Sequence, residues 1–324
     1  MKKYAIALTA ILGVTTYASA QQEPQFTQFM YDRLSINPGF TGTQDAICAN
    51  LLGRQQWAGF AGQPNTGLLN VHAPVEALRG GLGLSTYYDE IGPFSTAAVR
   101  LSYAYHLKLS GQTKLSLGAA VGIRNSTLRP DWIAYDYDPM GQLTRIGTGV
   151  GDNSIPTMDQ TRVSETVIDA SFGAYIYNPK WYAGISAIQL PGGYLTELRT
   201  RLARHYYLMA GYHFEITPQI VITPHIMAKT DLASAQFDAN ATVMYDNTFW
   251  VGMTYRVQDA IAPMAGYQYQ MPDGKSTLRI GYSYDFTTSQ LNNYSSGSHE
   301  LMVSFCHKLE KPLPTRVYKN PRFL

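Results

Sequence analysis

The sequence predicts an all-β fold, a closed antiparallel transmembrane β-barrel of about 14 strands, an even number as bacterial single-chain barrels have. Three observations predict it. Long stretches alternate strictly between apolar and polar residues. The connections between them run alternately tight and long. The composition carries 24 tyrosines and 28 glycines with only 15% charged residues, which suits strands flanked by aromatic girdles. A mean hydropathy of −0.16 fits the same fold, because lipid-facing and lumen-facing residues average out.

The chain opens with Lys2 and Lys3, an apolar run over 5–14, and Ala18, Ser19 and Ala20. A basic start, a short apolar core and an A-x-A site in that order predict a secretory signal peptide over 1–20. The mature chain then begins at Gln21, outside the cytoplasm. No later run of eighteen apolar residues suggests a spanning helix. A net charge of +2 gives no case for nucleic-acid binding.

Residues 21–45 form a segment ahead of the first strand. Its stretch PQFTQFMYDRLSINPGFTG holds Phe26, Phe29, Met30, Tyr31, Leu34, Ile36 and Phe40, too many apolar groups for a free tail. Breaks at Asn37, Pro38, Gly39 and Gly42 leave little room for regular structure. Extended, it reaches about 60 Å, more than a membrane core. It starts on the periplasmic side and is expected to enter the lumen or fold across its periplasmic mouth as a plug; if it projects into the periplasm instead, its aromatics bind a partner. Gln25, Phe26, Gln28, Phe29, Tyr31, Asn37 and Pro38 are its candidate residues on either reading.

From residue 46 to 309 the period is two. In VRLSYAYHLKL (99–109), Val99, Leu101, Tyr103, Tyr105, Leu107 and Leu109 share one face, and Arg100, Ser102, Ala104, His106 and Lys108 the other. Leu115, Leu117, Ala119, Val121 and Ile123 repeat the pattern, as do Leu278, Ile280, Tyr282, Tyr284 and Phe286. Such alternation is strand. A soluble sandwich alternates too. These strands, however, are long and aromatic-ended, and their polar face is Gly, Ser and Ala rather than Lys and Glu, as a crowded lumen requires. Tight turns at SGQT, NPK, TPQ and PDGK, with longer connections between, put both chain ends on the periplasmic side and most longer loops outside, among them an insert over about 129–164.

Arg54, Arg100, Arg124, Arg256, Arg279, Asp285 and Glu300 fall on the polar faces. They line a wet channel or form a paired network that fixes a plug; buried charges persist only when partnered. Cys48 begins the first strand and Cys306 lies near the end of the last, neighbours in a closed barrel. They are either two free thiols or a disulfide across the seam, depending on register. The segment 310–324 is basic and proline-rich. It is a disordered end or a docking strip using Lys311, Arg316, Tyr318, Arg322 and Phe323.

No nucleophile elbow, P-loop, zinc-binding or EF-hand motif occurs. GTGVGD (147–152) lacks the strand–turn–helix frame of a phosphate cradle. Asp136, Asp138, Asp152 and Asp159 match no calcium loop. No enzyme activity, metal or cofactor is expected.

Several segments together resemble the PorP/SprF family, outer-membrane proteins of the type IX secretion and gliding machinery of Bacteroidota. The residues that carry the resemblance are Pro24, Gln25, Phe26, Gln28, Phe29, Asn37, Pro38 and Gly42 near the start. Arg54, Gln56, Trp57, Pro64 and Thr66 follow, then Gly281, Tyr282, Tyr284, Asp285, Gly297, His299 and Glu300, and the final NPRFL. Gly39-Phe40 stands where the family would have Ala-Tyr, and the long insert matches less easily. The resemblance implies a non-enzymatic barrel in outer-membrane lipid. It implies work with periplasmic ring components and a peptidoglycan-binding lipoprotein, in export or surface attachment of proteins with a C-terminal sorting domain. The alternative from the residues alone is a transporter, a porin or a fatty-acid-uptake type barrel.

Overall fold

The computed structural model describes residues 23–59, 61–129, 134–137, 143–146, 162–293 and 295–310. The leader, GTGVGD and the docking-strip residues Lys311, Arg316, Tyr318, Arg322 and Phe323 lie outside these, as do Asp138, Asp152 and Asp159.

Period-two alternation becomes a wall of fourteen strands. They are β1 (Ala46–Gln55), β2 (Asn65–Val75), β3 (Gly80–Ile91), β4 (Phe94–Ser110), β5 (Thr113–Leu128), β6 (Val163–Tyr177) and β7 (Trp181–Ile188). Next comes β8 (His205–Tyr212), extended past His213 by Phe214–Thr217. The rest are β9 (Ile220–Thr230), β10 (Ala235–Tyr245), β11 (Phe249–Arg256), β12 (Ala260–Gln270), β13 (Ser276–Thr287) and β14 (Ser298–Lys308). Each is antiparallel to its neighbours, and β1 pairs with β14, so no edge is left open. A barrel thereby satisfies every strand's backbone groups inside lipid.

The barrel end where β1 begins and β14 finishes is called proximal here. Its connections are 76–79, 111–112, 178–180, 218–219, 246–248 and 271–275, all short. The distal connections include the longer 56–64, 129–162, 189–204 and 288–297. The proximal turn 271–275 is tied by Asp273, which accepts the Ser276 and Lys275 amides at 2.8 and 2.9 Å and the Ser276 hydroxyl. These bonds hold its carboxyl down at about 2.

Side chains sort by parity. In β11, Phe249, Val251, Met253 and Tyr255 all face outward and are about half exposed, an apolar stripe with an aromatic at each end. Leu101, Val121, Ile168 and Ile185 continue that belt on other strands. Such a surface belongs in hydrocarbon, not water.

The core lies inside the barrel, and segment 23–45 fills it. Phe26, Phe29, Met30, Leu34 and Phe40 are buried there. Phe26 joins Leu52, Leu68, Tyr87 and Ala98; Phe29 and Met30 join Tyr207, Trp250, Met264 and Met302; Leu34 and Phe40 join Tyr175, Tyr182 and Met209. The lumenal face is therefore not uniformly small and polar, as the alternation suggested. It carries three apolar patches, each opposite a plug side chain whose burial contributes about 1.5–3 kcal/mol.

Candidate functional site

The plug begins its descent at Glu23 and is held by charge from there on. Thr27 and Gln28 donate their backbone N–H groups to the two oxygens of the Glu300 carboxylate, at 2.7 and 2.8 Å. The Thr27 hydroxyl donates to Asp285 at 2.7 Å. Arg54 closes the group, reaching Asp285 at 2.8 Å and Glu300 at 3.0 Å. Arg256 adds a second cation, 3.2 Å from Asp285 and 3.4 Å from Asp238. These groups lie on β1, β10, β11, β13 and β14, so two backbone amides of the plug bind one carboxylate, Glu300, that the wall holds in place. Buried ions are tolerable only with this degree of mutual pairing and hydrogen bonding.

A second group sits across the lumen. Arg124 pairs with Glu23 and donates to the Tyr87 hydroxyl at 2.7 Å. Gln189 also donates to Glu23. Arg100 lies 3.5 Å from Asp169 and donates to the Ser35 carbonyl at 3.5 Å. Gln25 bonds Gln236 on β10.

The far end of the plug is held by shape. Asn37 caps the short 3₁₀ turn Pro38–Phe40, accepting the Gly39 amide at 2.8 Å. Its amide donates to the Ala174 carbonyl of β6 at 3.1 Å. The turn lies so close to the wall that a Cβ on Gly173 would sit 2.1 Å from the Asn37 carbonyl oxygen, and one on Gly118 2.2 Å from the Pro38 carbonyl. Only glycine permits that approach.

The structure thus brings together Gln25, Phe26, Gln28, Phe29, Tyr31, Asn37 and Pro38 inside the lumen, and Arg54, Arg100, Arg124, Asp285 and Glu300 against them. Arg279, expected in the same network, is a correction. It pairs with no carboxylate among the described residues, bonding Gln268 and lying 4.8 Å from the Tyr31 ring centre. The reason is position: it faces the lumen nearer the proximal end, away from Asp238, Asp285 and Glu300. Sequence reasoning missed Glu23, Thr27, Asp169 and Asp238. Parity along β6 and β10 was the available signal for the two aspartates.

Cys48 and Cys306 are register partners across the β1–β14 seam and are bonded, with Cα atoms 4.1 Å apart. Arg54 and Glu300 are partners on the same pair of strands. At the distal end, the Ala58 amide donates to the Gly297 carbonyl at 2.7 Å and the Trp57 amide to the Ser298 hydroxyl at 3.1 Å. Motif residues from the two ends of the chain therefore meet at one seam.

A closed, lipid-faced barrel with a small, charge-paired plug defines the class: an outer-membrane β-barrel protein. The chain belongs to the PorP/SprF family, since the family model for the type IX secretion system membrane protein PorP/SprF matches residues 18–305. Solved structures share the fold at low identity. The CymD monoaromatic hydrocarbon channel is 11% identical, with a TM-score of 0.53, covering 86% of this chain and 93% of its own. The Ralstonia pickettii toluene transporter TbuX is 10% identical at 0.50, with coverage of 86% and 93%. The P. putida toluene transporter TodX is 9% identical at 0.50, with coverage of 86% and 94%. No curated protein matches the sequence.

Proposed function

We propose that this protein is a plugged anchor of the type IX secretion machinery rather than a pore or an enzyme. Its proximal end faces the periplasm and holds periplasmic ring components and a peptidoglycan-binding lipoprotein. Its distal loops support export or surface attachment of proteins with a C-terminal sorting domain. One observation carries the reading: the segment 23–45 occupies the lumen and is bonded to the wall through Thr27, Gln28 and Asn37. A solute path has no use for so many fixed bonds across it.

The basic tail from 310 to 324 is proposed as the docking strip, with Lys311, Arg316, Tyr318, Arg322 and Phe323 making its contacts. Affinity capture from envelopes, with full-length protein and a variant ending at Leu309, tests this. Full-length protein is expected to bring down the periplasmic partners and the truncated one to lose most of them. Equal recovery from both would remove the tail from the proposal, and no recovery from either would sink the anchoring reading.

A second reading is favoured by the fold shared with CymD, TbuX and TodX: a channel for small apolar solutes. It requires the plug to move, and therefore the Thr27–Glu300 bonds to break.

A further inference from the structure

Beneath the plug, on its proximal side, lies a cavity of about 860 Å³. Its rim includes Gln44, Asn247 and Lys308, so it opens at the proximal mouth. Its walls carry the two lumenal arginines that the charge network leaves out.

Arg54, Arg100, Arg124 and Arg256 each pair with a carboxylate. Arg33 and Arg279 do not, among the described residues. Arg33 donates to the Met30 carbonyl at 2.9 Å and the Tyr175 hydroxyl at 2.8 Å, and lies 3.8 Å from the Tyr182 ring centre. Arg279 bonds Gln268 and lies over Tyr31. All these partners are neutral. Both residues line the same cavity. Two half-buried cations facing one cavity, neither ion-paired, repel, and an anion between them relieves both.

Asn50 and Trp250 also line this cavity, but the Asn50 amide and the Trp250 indole N–H are themselves sealed from it. The lining also holds two acids, Asp32, which accepts from Ser35 and Asn70, and Asp246 in the turn at the mouth; neither forms an ion pair with Arg33 or Arg279 among the described residues.

We propose that this cavity is a carboxylate-binding site for an acidic, aromatic-bearing polypeptide segment entering from the proximal end. Arg33 and Arg279 receive the carboxylate, and Tyr31 and Phe40 give an aromatic side chain a wall. The volume lies in the range of sites that enclose organic ligands and far exceeds the need of a lone ion. That the segment belongs to a periplasmic partner rests on the anchoring reading; the site itself does not.

The test uses purified full-length protein in detergent and a fluorescently labelled Glu- and Phe-containing hexapeptide, followed by polarisation. The controls are its Gln-substituted, amidated counterpart and inorganic phosphate as competitor. The acidic peptide is expected to bind about tenfold more tightly than the neutral one, with Arg279→Gln and Arg33→Gln each erasing about that factor. Binding is also expected to weaken with added salt in the unaltered protein, a readout that needs no variant. Equal binding of the two peptides would overturn the proposal. So would an unchanged affinity in Arg279→Gln, which would assign binding to the basic tail, or full displacement by millimolar phosphate, which would make it a small-anion site. Peptide binding without partner capture would leave the site standing and remove only the anchoring reading.

Discussion

Thr27 concentrates the chemistry of this protein in one residue. Its amide and its hydroxyl both meet carboxylates, and Arg54 donates to the same hydroxyl at 3.0 Å. Each wall charge there has more than one partner, so removing one leaves the others uncompensated in a sealed space. Arg54→Met is expected to destabilise the folded barrel by about 3–5 kcal/mol, the usual consequence of breaking a buried pair from one side. Denaturant titration in detergent, read by heat-modifiable electrophoretic migration, checks it; a shift within error would mean that the cluster only tracks the plug. Parity along the strands is enough to place Arg54, Asp285 and Glu300 on the lumenal face. It could not place Thr27, because a hydroxyl in an irregular segment has no period to betray its partner.

At the level of elements, the plug turn and the wall are fitted backbone to backbone. Gly118 and Gly173 look in sequence like the small residues of any narrow lumen, yet here their missing side chains are the seat of Asn37 and Pro38. Gly173→Val is expected to dislodge the turn while leaving the β-sheet content unchanged. Limited proteolysis should then cut within 30–42, a largely buried region whose cleavage is not expected in the parent protein; an uncut variant would show that the wall yields instead. The strands were legible because a lipid-facing belt imposes alternation on every one of them. The plug was legible only as an excess of apolar residues, which fits a lumenal or an outward position equally well. Its inward course depends on Leu52, Tyr87 and Trp250, wall residues whose burial needs a partner that no local pattern reveals.

For the whole molecule, the expectation is electrical silence. Full-length protein in a planar bilayer should show no large, steady conductance, and removal of 23–36 should produce one, since the remaining lumen would lose its filling while the closed strand order persists. A steady conductance from the intact protein would favour the solute-channel reading. The number of strands and the closure of β1 on β14 were both within reach of the sequence, because turn signals punctuate it regularly. The division of lumenal arginines into paired and unpaired sets was not, since it depends on how deep each one sits beside the plug.

The seam between β1 and β14 has a mechanical consequence. A barrel that releases material sideways into the membrane must pull neighbouring strands apart, and the junction of the first and last is the place where no loop would have to stretch. Here that junction is latched twice, by sulfur at Cys48 and Cys306 and by charge at Arg54 and Glu300. Between those cysteines the chain is a covalent hoop threaded through the bilayer, and the plug it encloses joins the chain just before Cys48. Nothing passes through a lateral gate at that seam while the hoop is closed.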